Sequence, residues 1–151
     1  MTPMLGPFSH ACIQVSDVDA ALRFYRDLLG FKVSLDRVET LENDKGEVMF
    51  TRRVAYLRWD DSPSFISIAR RNGPLPTNQP LKNGDNGLTH ISFWVDNIDE
   101  RYRQLTAQGV KTLGGIVEQD GLFYGLPKER RIRTFLFTDP DGTVLQFDQL
   151  Y

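Results

Sequence analysis

The chain has 151 residues, 40% of them hydrophobic and 25% charged, a balance that predicts one folded domain and argues against disorder. Eighteen Lys and Arg stand against 20 Asp and Glu, a net charge of −2, so the overall basic field of a general nucleic-acid binder is absent. The single cysteine, Cys12, excludes an intramolecular disulfide framework and a multi-cysteine zinc site. No apolar run reaches the length of a membrane span, and residues 1–8 lack the basic-then-apolar pattern of a secretory signal. These features predict a cytoplasmic protein without membrane or nucleic-acid partners.

In chain order, the first predicted strand covers residues 9–15 and is followed by a turn at Asp17. A helix is predicted over 18–29, with Asp17 as N-cap, an apolar stripe of Ala21, Leu22, Tyr25, Leu28 and Leu29, and Gly30 just past its end. Strands follow over 32–38, 48–59 and 64–70. Residues 71–87 are rich in Gly, Pro and Asn and read as a linker. The same sequence of elements then recurs. A strand covers 89–95, and a helix covers 98–108 with Asn97 as cap, Ile98, Tyr102 and Leu105 as stripe, and Gly109 as stop. Strands are predicted over 110–116, 133–138 and 143–149, the last two joined by the turn signal Thr138-Asp139-Pro140-Asp141-Gly142.

The recurrence is an internal repeat. Ser9-His10-Ala11-Cys12-Ile13-Gln14-Val15 aligns with Thr89-His90-Ile91-Ser92-Phe93-Trp94-Val95, and Asp17-Val18-Asp19 with Asn97-Ile98-Asp99. After one missing residue, Gly30-Phe31-Lys32 aligns with Gly109-Val110-Lys111. Two β-α-β-β-β modules are therefore predicted, at about 7–71 and 88–151, within one domain over 1–151.

Side chains alternate across a strand. Ala11, Ile13 and Val15 share an apolar face opposite His10, Cys12 and Gln14, and Ile91, Phe93 and Val95 lie opposite His90, Ser92 and Trp94. The chain's two histidines thus occupy equivalent positions of the two repeats. In the last strand Leu145, Phe147 and Gln149 alternate with Val144, Gln146 and Asp148, and the first-module counterpart of Gln146 falls near Ser67. A polar face on a covered sheet predicts a ligand cavity.

Three segments carry a family resemblance. They are Ser9-His10 continuing through Asp19-Ala20-Ala21-Leu22-Arg23-Phe24-Tyr25-Arg26-Asp27-Leu28-Leu29-Gly30-Phe31, then Gly87-Leu88-Thr89-His90-Ile91-Ser92-Phe93, then Phe137-Thr138-Asp139-Pro140-Asp141-Gly142-Thr143-Val144-Leu145-Gln146-Phe147. The chain resembles the vicinal oxygen chelate superfamily of glyoxalases, bleomycin-resistance proteins and extradiol dioxygenases. The resemblance implies an α+β fold of two tandem modules whose mixed sheets form a partly open cup, and a divalent metal (Fe, Mn, Zn, Ni or Co) in that cup. Its ligands would fall on His10, His90 and Gln146. Most metal-dependent members carry Glu where this chain has Gln146, so this set supplies no charge. Asp148, on the same face, can restore the charge only by an unusual local geometry. Ser67, at a further ligand position of glyoxalase I and the epimerase, is a poor metal ligand.

Other residues stay open between two roles. Trp59 and Trp94 line the cup and stack on a planar ligand, or pack in the core. The segment 119–127, with Phe123 and Tyr124, is a lid or an ordinary hairpin connection. Tyr124 is the best phenolic acid–base or hydrogen-bonding candidate. Cys12 reads as a buried space-filler. The basic segment 128–133 attracts an anionic group or forms a solvated rim, and Arg52 and Arg53 share that ambiguity. Ser67, Trp59, Trp94, Phe123, Tyr124 and Asp148 are the substrate-contacting candidates. Two function classes follow. One is a metal-dependent lyase, isomerase or dioxygenase acting on a small oxygen-rich or aromatic metabolite. The other is a metal-free protein that sequesters such a ligand. An amide at 146 cannot accept a proton at neutral pH, which counts against reactions that use the usual Glu as base. Short chains of this family commonly form homodimers, which is the state the resemblance implies.

Overall fold

The computed structural model describes residues 6–82 and 84–151. The chain divides into two compact units, one up to Thr77 and one from Asn78 onward, so the boundary falls inside the predicted linker. No helix among the described residues is long and apolar enough to cross a membrane.

Each unit is a β-α-β-β-β module, as the repeat predicts. In module one, β1 (His10–Gln14) is followed by α1 (Val18–Leu22), β2 (Lys32–Glu42), β3 (Val48–Arg58) and β4 (Phe65–Arg71). The sheet order is β1-β4-β3-β2, with β1 parallel to β4 and the other pairs antiparallel. In module two, β5 (Ile91–Trp94), α2 (Ile98–Ala107), β6 (Val117–Asp120), β7 (Arg131–Thr138) and β8 (Val144–Leu150) repeat the pattern. Its order is β5-β8-β7-β6, with β5 parallel to β8. The parallel pair needs a crossover, and the helix supplies it.

The helix of each module covers the apolar sheet face. In module one, Ile13, Val15, Leu57, Ile66 and Ile68 are buried with Val18, Ala21, Leu22 and Tyr25. In module two, Phe135, Phe137, Leu145 and Phe147 are buried with Ile98 and Leu105. Ring edges meet ring faces there, with Phe137 on Phe147 at 4.8 Å and Tyr102 on Phe135 at 5.1 Å between centroids, the arrangement that ring quadrupoles favour.

The first helix departs from the predicted continuous α-helix. It begins as expected, with Asp17 Oδ1 accepting from Asp19 N at 2.8 Å and Ala20 N at 3.1 Å. From Arg23 to Leu28 it widens into a π-helix, with Leu29 N donating to Phe24 O. A π turn accommodates one more residue than an α turn. The alignment already contained that residue, since module one has one more position than module two between cap and glycine. The wider turn buries both Phe24 and Tyr25, where the α stripe predicted Tyr25 alone. Both helices still end as predicted, with Gly30 at φ +87° and Gly109 at φ +75°, backbone that a side chain disfavours.

Asn97 corrects a second expectation. It precedes α2 in the left-handed conformation, φ +54°, and its side chain makes no cap hydrogen bond. The cap comes from far along the chain, where Gln149 Oε1 accepts from Ile98 N at 2.7 Å. Gln149→Ala is expected to cost about 1 kcal/mol, the usual worth of a lost cap. Gln149→Glu keeps the acceptor and adds negative charge at the helix start, so its urea midpoint should match or exceed that of the parent.

The strand predicted over 110–116 is displaced. Thr112 forms an isolated bridge with Phe137, Gly114 follows at φ +103°, and regular pairing with β7 resumes only at Val117. The Gly114-Gly115 pair interrupts the strand. The turn between β7 and β8 forms as predicted around the buried Asp139, whose Oδ1 accepts from Asp141 N and Thr143 N.

Candidate functional site

Strand register places Ser92 beside Gln146, and Trp94 beside Asp148, on the face of the module-two sheet opposite α2. Thr134 on β7 lies opposite Asp148. Asp148 is only 3% exposed. A buried carboxylate must be satisfied by donors, and three reach it. Tyr124 Oη donates to Oδ1 at 2.8 Å, Gln146 Nε2 donates to Oδ1 at 2.8 Å, and Ser92 Oγ donates to Oδ2. Gln146 Nε2 also donates to Tyr124 Oη at 3.1 Å. The hydroxyl of Thr134 is buried without a hydrogen bond of its own, close enough to Tyr124 to favour its ionised form.

Tyr124 arrives from a 3-10 turn, Gly121–Tyr124, which follows β6 directly. Asp120 caps the turn through Leu122 N at 3.0 Å. Gly121 has no room for a side chain, since a Cβ there would lie 2.0 Å from the carbonyl oxygen of Pro127. The segment is therefore an anchored turn, and Gly121 acts in it by close packing. Burial and the hydrogen bond to Asp148 together push the Tyr124 phenol up to about 12. Tyr124 is thus a fixed hydrogen-bond donor at neutral pH and a poor proton acceptor. A group whose folded pKa is raised stabilises the fold fully below its unfolded value, and loses that contribution as pH climbs through the folded one. Between about pH 10 and 12 the parent should therefore lose more stability than Tyr124→Phe, measured by urea unfolding at each pH.

An aromatic shelf adjoins this cluster. Trp94 is 60% exposed, its ring centroid 5.8 Å from that of Tyr124. Phe123 on the same turn is 73% exposed.

The polar face of module one has another character. Cys12 pairs with Ser67, and Tyr56 lies opposite Ser67, which confirms Ser67 as the counterpart of Gln146. Ser67 is buried. His10 stacks on Phe65 at 4.9 Å and Phe65 on Tyr56 at 4.5 Å, with the Arg58 guanidinium 5.4 Å from the Phe65 ring centre. Cys12 is exposed and its Sγ accepts from Gln14 at 3.7 Å, contrary to its reading as a buried filler. Trp59 meets Phe31 edge-on at 6.2 Å, and Phe31 is a core residue packed on Tyr25. Trp59, one residue beyond β3, therefore makes a packing contact and stays partly exposed.

The two histidines share a contact that the sequence did not reveal. Ser9 Oγ lies 3.1 Å from His10 Nδ1, and Thr89 Oγ1 lies 3.2 Å from His90 Nδ1. In both modules a preceding hydroxyl engages Nδ1 and leaves Nε2 as the outer nitrogen. The repeat extends to ion pairs, since Arg53 contacts Asp19 and Arg133 contacts Asp99. Arg53 also holds Asp36, and Arg52 holds Glu39, so neither arginine of that predicted ambiguous pair is an uncommitted cation.

These donors do not fit a carboxylate-bearing metal centre. Within each module, no group of three or more described His, Cys, Asp and Glu side chains is disposed to hold an ion. Asp148, the carboxylate that would have to restore the charge, already accepts from three side chains.

Residues 8–147 match the model of the Glyoxalase/Bleomycin resistance protein/Dioxygenase superfamily. The chain belongs to this superfamily. Among curated glyoxalase-superfamily relatives, a lactoylglutathione lyase of Haemophilus influenzae is 28% identical over 140 residues, 91% of this chain and 88% of that one. A glyoxalase family protein of Bacillus cereus superposes with a TM-score of 0.78 at 18% identity, covering 99% of this chain and 97% of the other. A glyoxylase/bleomycin resistance protein/dioxygenase domain from Frankia gives 0.67 at 21% identity, covering 96% and 92%. Structural likeness at such identities establishes the glyoxalase-like fold and leaves the chemistry to the residues themselves. The superfamily match spans Gln146 and stops one residue short of Asp148.

Proposed function

We propose that module two binds a small planar molecule, stacked on Trp94 with its polar end against Gln146. The observation that carries this reading is the clamped Gln146 amide beside an exposed tryptophan. Ligand sites combine a few fixed polar groups with aromatic surface, and a polar cluster whose members are mutually bonded is preorganised. No group in the cluster is a ready proton acceptor: Gln146 is an amide, Tyr124 holds its proton, and three donors occupy Asp148. This favours binding over proton-abstraction chemistry. Calorimetric titration of the full chain with a panel of mono- and bicyclic aromatics tests it. Stacking on an aromatic is worth about 1–3 kcal/mol, so Trp94→Ala should weaken binding by about 5- to 150-fold. Undiminished affinity in Trp94→Ala, or no binder in the panel, would remove the proposal.

A second reading, a divalent-metal-dependent enzyme of the superfamily, is supported by the matched hydroxyl contacts at His10 and His90 and by the likeness to a lactoylglutathione lyase. The ligands that the family resemblance implies for it, His10, His90 and Gln146, are all neutral. Elemental analysis of protein purified without chelator or nickel resin, beside His10→Ala and His90→Ala, tests it. About one Fe, Mn, Zn, Ni or Co per site, lost in both variants, supports this reading. Failure to retain any of these ions after reconstitution sets it aside.

A further inference from the structure

We infer that module one carries an oxyanion site of its own, in which Lys32 and Arg58 hold the carboxylate or phosphate head group of a small organic molecule. The inference does not rest on the module-two reading above.

Cross-strand charges elsewhere on β2 and β3 are opposite in sign. Glu39 stands opposite Arg52 and is bonded to it at 2.9 Å, and Asp36 reaches Arg53 at 2.8 Å. One pair breaks this pattern. Lys32 stands directly opposite Arg58, and like charges so placed destabilise a sheet, because facing Cβ atoms lie only about 4.5–5.5 Å apart. Neither cation forms an ion pair with a described carboxylate. Asp60, in the turn after β3, accepts from Ser62 N at 2.9 Å instead.

The backbone builds this repulsion in. The register of β2 shifts between Val33 and Leu35, where Ser34 is the extra residue and its Oγ donates to Tyr56 O at 3.3 Å. Had the pairing of Leu35 with Tyr56 continued without a shift, Val33 would stand opposite Arg58 and Lys32 would lie on the helix side. The bulge instead sends Val33 to the helix side, opposite the buried Leu57, and Lys32 to the polar face, opposite Arg58. Bulges re-aim side chains in this way beside functional sites.

Arg58 is already in place. Its Nη1 donates to Ser62 O at 2.9 Å, and its guanidinium carbon lies 5.4 Å from the centre of the Phe65 ring. Nε and Nη2 have no hydrogen-bond partner among the described residues. A planar guanidinium held over an aromatic ring offers a fork that matches two oxygens of a carboxylate or phosphate. Lys32 adds a mobile point charge beside it. Phe65, stacked on Tyr56 at 4.5 Å, borders the fork with aromatic surface, which suits an organic anion over a bare one.

The test titrates benzoate, phenyl phosphate and the neutral benzamide into the full chain at low ionic strength, with the Arg58 Nε–H and Phe65 amide resonances as local readouts. Both anions should shift these resonances saturably, and benzamide should bind about tenfold more weakly than benzoate, or worse. The tighter anion identifies the head group. Arg58→Lys keeps the charge and loses the fork, so both affinities should fall about tenfold, read at the Phe65 amide. Lys32→Gln, at an exposed position, should weaken both anions about threefold, and Lys32→Glu should abolish their binding. Lys32→Glu also turns a repelling pair into an attracting one. Its urea midpoint without ligand should therefore exceed that of the parent, and should no longer rise on adding phenyl phosphate as the parent's does. The site is overturned by benzamide binding as tightly as benzoate, by no saturable shift from either anion, or by unchanged anion affinity in Lys32→Glu.

Discussion

Gly121→Ala is expected to disable the module-two site while leaving both helices in place. A Cβ at this position would lie 2.0 Å from the Pro127 carbonyl oxygen and 3.1 Å from Arg130 Cβ. The nearest obstacle is backbone, so no side-chain rotation relieves the clash and the segment 121–127 must move. Leu126 N donates to Gly121 O at 2.9 Å, and that bond closing the turn would be strained at the same time. Tyr124 sits three residues on and holds its place through Asp148 at 2.8 Å. A shift of about 1 Å carries the hydroxyl outside ordinary hydrogen-bond range. The buried Asp148 then loses one of its three donors and the half-buried Gln146 one of its partners, at about 1 kcal/mol for each lost hydrogen bond. The expected result is loss of aromatic binding by calorimetry and a destabilisation of a few kcal/mol by urea unfolding, with far-UV dichroism close to that of the parent. Gly125→Ala provides the contrast. Gly125 has positive φ, +66°, but open space around it, so it should cost only about 1 kcal/mol of conformational strain.

Much of this architecture is legible in the sequence, because it comes from local pattern and repetition. Asp17, Gly30 and Gly109 mark helix ends through their own backbone and side-chain chemistry, and they do so where expected. The fold class follows from the repeat, and the alternation of Val144, Gln146 and Asp148 against Leu145 and Phe147 correctly assigns the sheet faces. Even the π-helix has a trace in the sequence, as the one residue by which the first repeat exceeds the second.

What the sequence did not disclose depends on side chains that meet across long separations. Gln149 caps α2 from 51 residues away, a bond that no periodicity encodes, and it displaces Asn97 from that role. Asp148 reads as a spare ligand on an inward face, but its burial by Ser92 and Tyr124 appears only once a turn 24 residues upstream folds over it. Trp59 falls at a strand end, where alternation no longer fixes direction, and Phe31 decides its side. The β6 strand begins late because two consecutive glycines break it, a local signal that the repeat alignment overrode.

Phe135→Ala is expected to be the most destabilising single change in module two. Phe135 is 2% exposed and touches three rings: Tyr102 of α2 at 5.1 Å, Phe137 at 5.6 Å and Phe147 at 5.7 Å. It therefore joins the helix to the two central strands of its sheet. Truncation removes that aromatic surface and leaves a cavity whose walls are stiff β-sheet on one side, which limits collapse. Such changes cost about 3–5 kcal/mol, a large share of the roughly 5–15 kcal/mol that holds an ordinary domain together. With a urea dependence of about 1–3 kcal/mol per molar, the midpoint should drop by about 1–5 M. Phe135→Leu fills most of the space and should lose markedly less. Val38→Ala, at a site 70% exposed, should stay within about 0.5 kcal/mol of the parent. A Phe135→Ala midpoint no lower than that of Val38→Ala would mean that this ring cluster does not carry the packing assigned to it. Because Phe135 points to the helix side of β7 and Thr134 beside it to the polar face, a folded Phe135→Leu should keep its aromatic affinity. Retained binding with lowered stability would separate the core of module two from its site.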